Sequence, residues 1–235
     1  MKTVVKILFF IVSPVVFSQF SREMAEPTGK VAELLKYNGS IYSNEKYSEA
    51  RIIDEKSGTY YVNLRHNVYS DVLEYKEGPK SYEVIKNSSI YAYIDSEEYR
   101  YCNFKTHKGQ LRHGYYTPID KTDTYSVYKK HDLKITEPKE KDPMTGSSMT
   151  SGKIKLETIF FLEQDGIIVS LPTNKKEILI TFQDKSDELK EFIKKEKLRL
   201  KKEEDLIKLV KHYSILKNNT ANQPQNLLNN RVQNN

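Results

Sequence analysis

The chain has 235 residues, a formal net charge of +6 at neutral pH, 17 tyrosines, nine phenylalanines and no tryptophan. Its single cysteine excludes an intramolecular disulfide, so the fold has to depend on an apolar core. The basic residues are interspersed with acidic ones, which argues against nucleic acid as a partner.

The first 18 residues have the pattern of an export signal. Lys2 and Lys6 precede the apolar run ILFFIVSPVVF, and Val16 and Ser18 stand where a signal peptidase requires small residues, before Gln19. The run is too short to span a bilayer comfortably. We therefore predict a signal peptide over residues 1–18, with a retained membrane anchor or a buried core helix at the N-terminus as the alternatives. Loss of two lysines lowers the net charge from +6 to +4, and we expect no transmembrane segment after cleavage.

Residues 19–38 are predicted to be a leader with a short helix, because Val31, Leu34 and Leu35 lie at helical spacing. From residue 39 to 171 the pattern changes to short runs rich in Tyr, Val and Ile, separated by turn residues. We predict an antiparallel β domain of about ten short strands, arranged as a meander, a sandwich or a partly closed barrel. The polar stretch 137–153 is predicted to be a mobile surface loop.

A helical period begins after the last predicted strand. The segments SDELKEFIKKEKL and KKEEDLIKLVKHYSIL predict a C-terminal pair of α-helices within residues 172–216, with apolar stripes that pack on the sheet. The preceding TNKKEILITFQ fits either a short helix or a last strand, and we favour the helix. Residues 217–235 are rich in Asn and Gln and are predicted to be a disordered tail.

One stretch, NLRHNVYSDVLEYK at residues 63–76, concentrates polar side chains. Strand alternation places Arg65 and His66 on opposite faces, so the two cannot share a local site. We predict a hairpin in which Asp71 lies in the turn and bonds its own backbone, while Glu74 faces Arg65 or Asn67 on the opposite strand. The candidates for partner binding or for fixing the hairpin are Arg65, His66, Asn67, Asp71 and Glu74.

The motifs of catalysis and of cofactor binding are missing from the sequence. No local zinc motif, nucleophile elbow or phosphate-binding glycine loop occurs, so we assign no catalytic, cofactor-binding or metal-binding residue. A metal site built from distant histidines, for example His66 with His113, stays open as an alternative. Cys102 lies in an alternating aromatic run and is interpreted as buried packing rather than as a catalytic thiol.

Tyrosines offer two interpretations. They could form an exposed aromatic platform for a glycan or a protein, or they could be ordinary half-buried strand residues, which we favour. The residues concerned are Tyr91, Tyr93, Tyr99, Tyr101, Tyr115, Tyr116, Tyr125 and Tyr128.

The chain resembles a group of exported proteins from Bacteroidota. The resemblance lies in GSIYSNEKY (39–47), in the hairpin LRHN (64–67) with Asp71 and Glu74, and in the Lys/Glu-rich helical end. Two positions depart from the group: His66 stands for the usual aromatic residue and Ile41 for a proline. The resemblance implies a Gram-negative envelope, a periplasmic or outer-membrane-associated location and a mostly β fold, and it implies no activity.

These observations favour a non-enzymatic accessory or binding protein that is exported to the periplasm, either free there or peripherally attached to the outer membrane. We expect it to associate with an outer-membrane or secretion-related protein partner. The alternative is a periplasmic glycan-binding or glycan-processing protein that uses surface tyrosines and a carboxylate pair. A third alternative is a secreted protein that acts outside the cell. No cofactor is expected.

Overall fold

The computed structural model describes residues 20–24, 29–139, 144 and 150–221. The predicted signal peptide, residues 222–235 of the predicted tail and most of the predicted loop 137–153 lie outside these described residues. Within the described ends of that segment, Lys139 and Thr150 form an antiparallel bridge, and Lys153 is already the first residue of a strand.

The fold class is confirmed: the protein is mainly antiparallel β with helices at its C-terminal end. The described part contains eleven strands, all in one sheet. They are β1 (Ser21–Glu23), β2 (Ser48–Asp54), β3 (Gly58–Asn67), β4 (Val72–Glu77), β5 (Lys80–Val84), β6 (Ile90–Ile94), β7 (Glu97–Lys105), β8 (Leu111–Lys121), β9 (Ser126–Thr136), β10 (Lys153–Gln164) and β11 (Ile167–Leu171).

The sheet has an open half and a partial ring. The open half runs in the order β1-β5-β4-β3-β2-β6-β7, and β1 extends it from within the predicted leader. Strands β8 to β11 follow β7 in antiparallel pairs and then return to it. β11 meets β7 in parallel at the single register pair Ile167 and Lys105, where the Lys105 N–H donates to the Gly166 carbonyl at 3.0 Å.

Side chains alternate between the two faces of each strand, and the two faces pack into separate apolar cores. One face of the open half buries Ile52, Leu64 and Leu73. The five strands of the ring all contribute to a second, aromatic core that includes Phe104, Tyr116 and Phe161. The opposite face of β9, β10 and β11 supports the helices. A period of two therefore produces several apolar clusters from one continuous sheet.

The helices are α1 (Lys30–Leu34), α2 (Lys175–Thr181), α3 (Ser186–Lys195) and α4 (Glu203–Ala221), with a 3-10 turn at Gln183–Lys185. Three helices thus stand in place of the predicted C-terminal pair. The ambiguous segment is the helix α2, as predicted, because the Asn174 side chain accepts from the backbone N–H groups of Lys176 and Glu177 at its start.

The predicted tail begins too early. Residues 217–221 continue α4, since each residue added to an existing helix gains a hydrogen bond without a new nucleation cost. α4 is anchored by the buried residues Leu206, Leu209 and Val210 and by stacking of Tyr213 on Phe182 at 4.2 Å between ring centroids. Among the described helices, none is both long enough and apolar enough to cross a membrane.

Candidate functional site

The hairpin β3–β4 contains the predicted cross-strand pair. Arg65 and Glu74 are directly opposite in register, and the Arg65 Nε donates to the Glu74 Oε1 at 2.6 Å. The Glu74 side chain is 6% exposed. A carboxylate this far from water needs a bound cation, so the pair holds the register of the two strands.

Arg65 is fully engaged within the protein. Its guanidinium lies 3.6 Å from the ring centroid of Tyr42 and 4.4 Å from that of Tyr47, and its Nη2 donates to the Tyr42 hydroxyl at 2.7 Å. Its Nη1 also donates to the Glu45 carbonyl at 3.4 Å, so each nitrogen of the guanidinium has a partner within the protein. We therefore interpret Arg65 as the residue that fixes the segment 42–47 to the hairpin.

Asp71 does not bond its own backbone, which corrects the sequence prediction. Its carboxylate accepts from the His66 Nε2 at 3.2 Å, from the Lys130 Nζ at 2.7 Å and from the backbone N–H of Tyr115 at 3.2 Å. The turn is capped instead by Asn67, whose Oδ1 accepts from the Ser70 N–H at 3.2 Å. Asp71 therefore joins the hairpin to β8 and β9.

Charges and burial set the protonation state of this network. Burial by itself would raise the pKa of Asp71, but the hydrogen bond from His66 and the charge of Lys130 outweigh burial and lower it. Burial lowers the pKa of His66, which is 2% exposed. Asp71 is thus ionised and His66 neutral near pH 7, with the His66 proton on Nε2 and an acceptor at Nδ1.

A second histidine completes this buried region. The rings of His66 and His131 are 6.4 Å apart between centroids, and burial lowers the pKa of His131 to about 4. Both Nδ1 atoms are buried and have no hydrogen-bond partner among the described residues. Together with Tyr99, the two rings line a polar cleft of about 300 Å³. Neutral imidazoles of this kind are poor proton donors near pH 7.

His66 does not lie beside His113, the pair considered as a possible metal site. His113 lies beside Tyr101, with centroids 6.5 Å apart, and the histidine that approaches His66 is His131. Within the described residues, no three His, Cys, Asp or Glu side chains are grouped so that they could hold a metal ion. The structure therefore gives no support to the His66–His113 metal site.

Another concave surface lies on the other face of β2, β3 and β6. It is a groove of about 880 Å³ lined by Glu49, Arg51, Tyr61, Asn63, Tyr93 and Asp95, among others. Arg51 is the register partner of Tyr61 on β3 and of Tyr93 on β6. The groove thus has a central row of tyrosine, arginine and tyrosine across three strands, and we call this row the Tyr–Arg row.

Within the Tyr–Arg row, Tyr93 is held by contacts with neighbouring side chains, whereas Tyr61 is exposed. The Tyr93 hydroxyl donates to the Glu98 Oε2 at 2.8 Å, and the Arg51 guanidinium lies 4.8 Å from the Tyr93 ring centroid. Tyr61, by contrast, is 78% exposed. Glu49 and Asp95 flank the last β2–β6 pair, Ala50 with Ile94, so both acids lie at the same end of the groove.

An exposed tyrosine platform, the alternative that the sequence did not favour, is only partly present. Of its eight members, Tyr91 and Tyr93 point outwards on β6, whereas Tyr99, Tyr115, Tyr116 and Tyr125 are buried. Sequence reasoning missed Tyr61, although its register offered a signal. If Leu64 and His66 face inwards on β3, then Tyr61 must face outwards.

No protein-family model matches the chain, and neither the curated proteins nor the solved structures include one that matches it. The function of the protein is therefore inferred from the geometry of its own side chains.

Proposed function

We propose that the protein is a non-enzymatic binding protein of the bacterial cell envelope, exported to the periplasm, and that it holds an envelope protein partner in the groove that contains the Tyr–Arg row. The observation that carries the proposal is the row itself: Tyr61 is exposed at one end of the row, next to Arg51, which lies between Tyr61 and Tyr93. Tyr and Arg are the residue types that dominate binding energy at protein interfaces.

The alternative location for binding, the hairpin β3–β4, is less suitable. Arg65, Glu74 and Asp71 satisfy one another or other parts of the chain, and His66 is buried. Side chains that already have their partners would lose those contacts on binding. We therefore assign the hairpin to structure and the groove to recognition.

The test compares two exposed tyrosines in chemical crosslinking and affinity purification from envelope membranes. Tyr61→Ala removes the exposed end of the Tyr–Arg row, and Tyr69→Ala removes a tyrosine that is 39% exposed in the β3–β4 turn. We expect a stoichiometric partner with the unaltered chain and with Tyr69→Ala, and binding to the purified partner weakened at least tenfold by Tyr61→Ala. A free monomer that recovers no partner, or equal binding by both variants, would refute the proposal.

A second candidate function is supported by the acids of the groove. Exposed tyrosine rings beside Glu49 and Asp95 would suit a glycan, because aromatic faces stack on the apolar faces of sugars while carboxylates accept from their hydroxyls. Titration calorimetry with soluble cell-wall oligosaccharides tests binding, and product analysis tests cleavage. Binding lost in Tyr61→Ala without cleavage supports a lectin-like role, whereas cleavage lost in Glu49→Gln supports a hydrolase. Absence of both heats and products refutes this candidate.

A further inference from the structure

The turn between α3 and α4 is the most basic stretch of the described surface. Six of the nine residues from 194 to 202 are basic and one, Glu196, is acidic. All six basic residues are exposed. They are Lys194, Lys195, Lys197, Arg199, Lys201 and Lys202, and we call them the basic turn.

Three acidic residues, Glu203, Glu204 and Asp205, follow the basic turn at the start of α4, and the Asp205 Oδ2 accepts from the Arg199 backbone N–H at 2.9 Å. The basic side chains themselves have no paired carboxylate within the described part of the chain. Other lysines of the helical region have carboxylate partners: Lys185 pairs with Glu188 at 3.6 Å, and Lys211 pairs with Asp120 at 3.0 Å. None of the six residues of the basic turn forms an ion pair with a described residue. The turn therefore presents a concentrated positive potential to whatever lies outside it.

The backbone of the basic turn is ordered rather than loose. Lys197 has a φ of 53°, and the next N–H, that of Leu198, donates to the Ile193 carbonyl at 3.1 Å. This is the Schellman arrangement, which normally has glycine at the left-handed position. Leu200 is 5% exposed and holds the turn in the helical core. A lysine thus occupies a glycine position at a steric cost, and its charge remains in the array.

We infer that the basic turn binds the phosphate groups of an anionic phospholipid surface. Six exposed monovalent cations within nine residues match a plane of monovalent headgroups better than they match a single enclosed anion. Each Lys or Arg close to such a surface increases partitioning about fivefold, so six of them suffice for attachment. This inference does not depend on the groove, and it would place the protein against a membrane while the groove remains free.

The test is cosedimentation of the full chain with phosphatidylcholine vesicles, with and without phosphatidylglycerol. The informative quantity is the ratio of the two partition coefficients, because binding through the apolar N-terminal segment contributes to both. We expect the ratio to be well above one at low salt and to approach one at high salt, where surface charges are screened.

Two variants of equal net charge test the location. Replacement of Lys195, Lys201 and Lys202 by Gln should lower the ratio about a hundredfold, from three factors of about five. The matched control replaces three exposed lysines elsewhere, Lys56, Lys108 and Lys134, by Gln, and it should lower the ratio far less.

A third variant separates the loss of charge from a loss of folding. Lys197→Gly removes one charge and relieves the left-handed backbone, so it should lower the ratio about fivefold in a chain at least as stable. Equal ratios for the two triple variants, or no preference for anionic vesicles, would overturn the inference. So would tight binding of double-stranded DNA, offered as a competitor, without binding of vesicles.

Discussion

Gly114 on β8 provides the sharpest test of the buried Asp71 network. Its φ is 152°, and a Cβ built on it would lie closer than 3.0 Å to both the Asp71 Oδ2 and the Lys130 Nζ. The end of a lysine can move aside, but Asp71 is held in the hairpin turn at a φ of 52° and by its bond from the Tyr115 N–H. The methyl group of Gly114→Ala must therefore displace the carboxylate.

The cost follows from two contributions. The backbone conformation costs about 1 kcal/mol when glycine is replaced. Separation of the Asp71–Lys130 pair, whose side chains are 24% and 22% exposed, costs about 2–3 kcal/mol, less than the loss of a fully buried pair. We expect Gly114→Ala to lower the free energy of unfolding by about 3–4 kcal/mol in equilibrium urea denaturation.

The matched control is Gly58→Ala. Gly58 also has a positive φ, 116°, but a Cβ there would meet nothing within 4 Å, so the expected cost is about 1 kcal/mol. In an Asp71→Ala background, Gly114→Ala should cost no more than this control, because the obstructing carboxylate is gone. The reasoning fails if Gly114→Ala and Gly58→Ala cost the same, or if removal of Asp71 leaves the cost unchanged.

Three further predictions concern other buried groups. Burial lowers the pKa of His131 to about 4 in the folded chain. In the unfolded chain this histidine already binds a proton near pH 6.5. The free energy of unfolding is therefore highest above that pH and falls as the pH is lowered towards 4. Urea titrations should show that His131→Phe loses less stability over this pH range than the unaltered chain. An equal loss would contradict this explanation. Arg65→Leu should lower the free energy of unfolding by about 3–5 kcal/mol, because it leaves Glu74 buried without a cation. The double variant Arg65→Leu with Glu74→Leu should recover most of that stability. No recovery would mean that loss of the ion pair is not the cause. Cys102 should resist a thiol reagent in the folded chain, since burial raises its pKa to about 11, and it should react at once in urea; rapid labelling of the native chain would exclude the buried assignment.

The local part of the hairpin followed from the sequence because strand alternation is a local rule. Alternation over residues 63–69 sufficed to place Arg65 and His66 on opposite faces, and the turn at Asp71 placed Glu74 across from Arg65 or Asn67. The partners of Asp71 could not be found in the same way. The backbone of Tyr115 is 44 residues away and Lys130 is 59 residues away, and only the path of the sheet brings β8 and β9 beside the β3–β4 turn.

Elements with mixed signals were predicted less well. The residues 217–221 have the composition of a disordered segment but extend a helix that is already anchored upstream. Strand β1 has three residues, Ser21–Glu23, and exists only because β5 offers it a free edge. In both cases tertiary context, which a single sequence window does not contain, decided the structure.

Strand β7 belongs to both halves of the sheet, and this has a consequence for the way the protein unfolds. Tyr99 faces the core of the open half, whereas Cys102 and Phe104, on the same strand, face the core of the ring. Neither half can lose its structure while β7 keeps both sets of contacts. Although its apolar clusters are separate, the chain is therefore expected to melt in one cooperative transition.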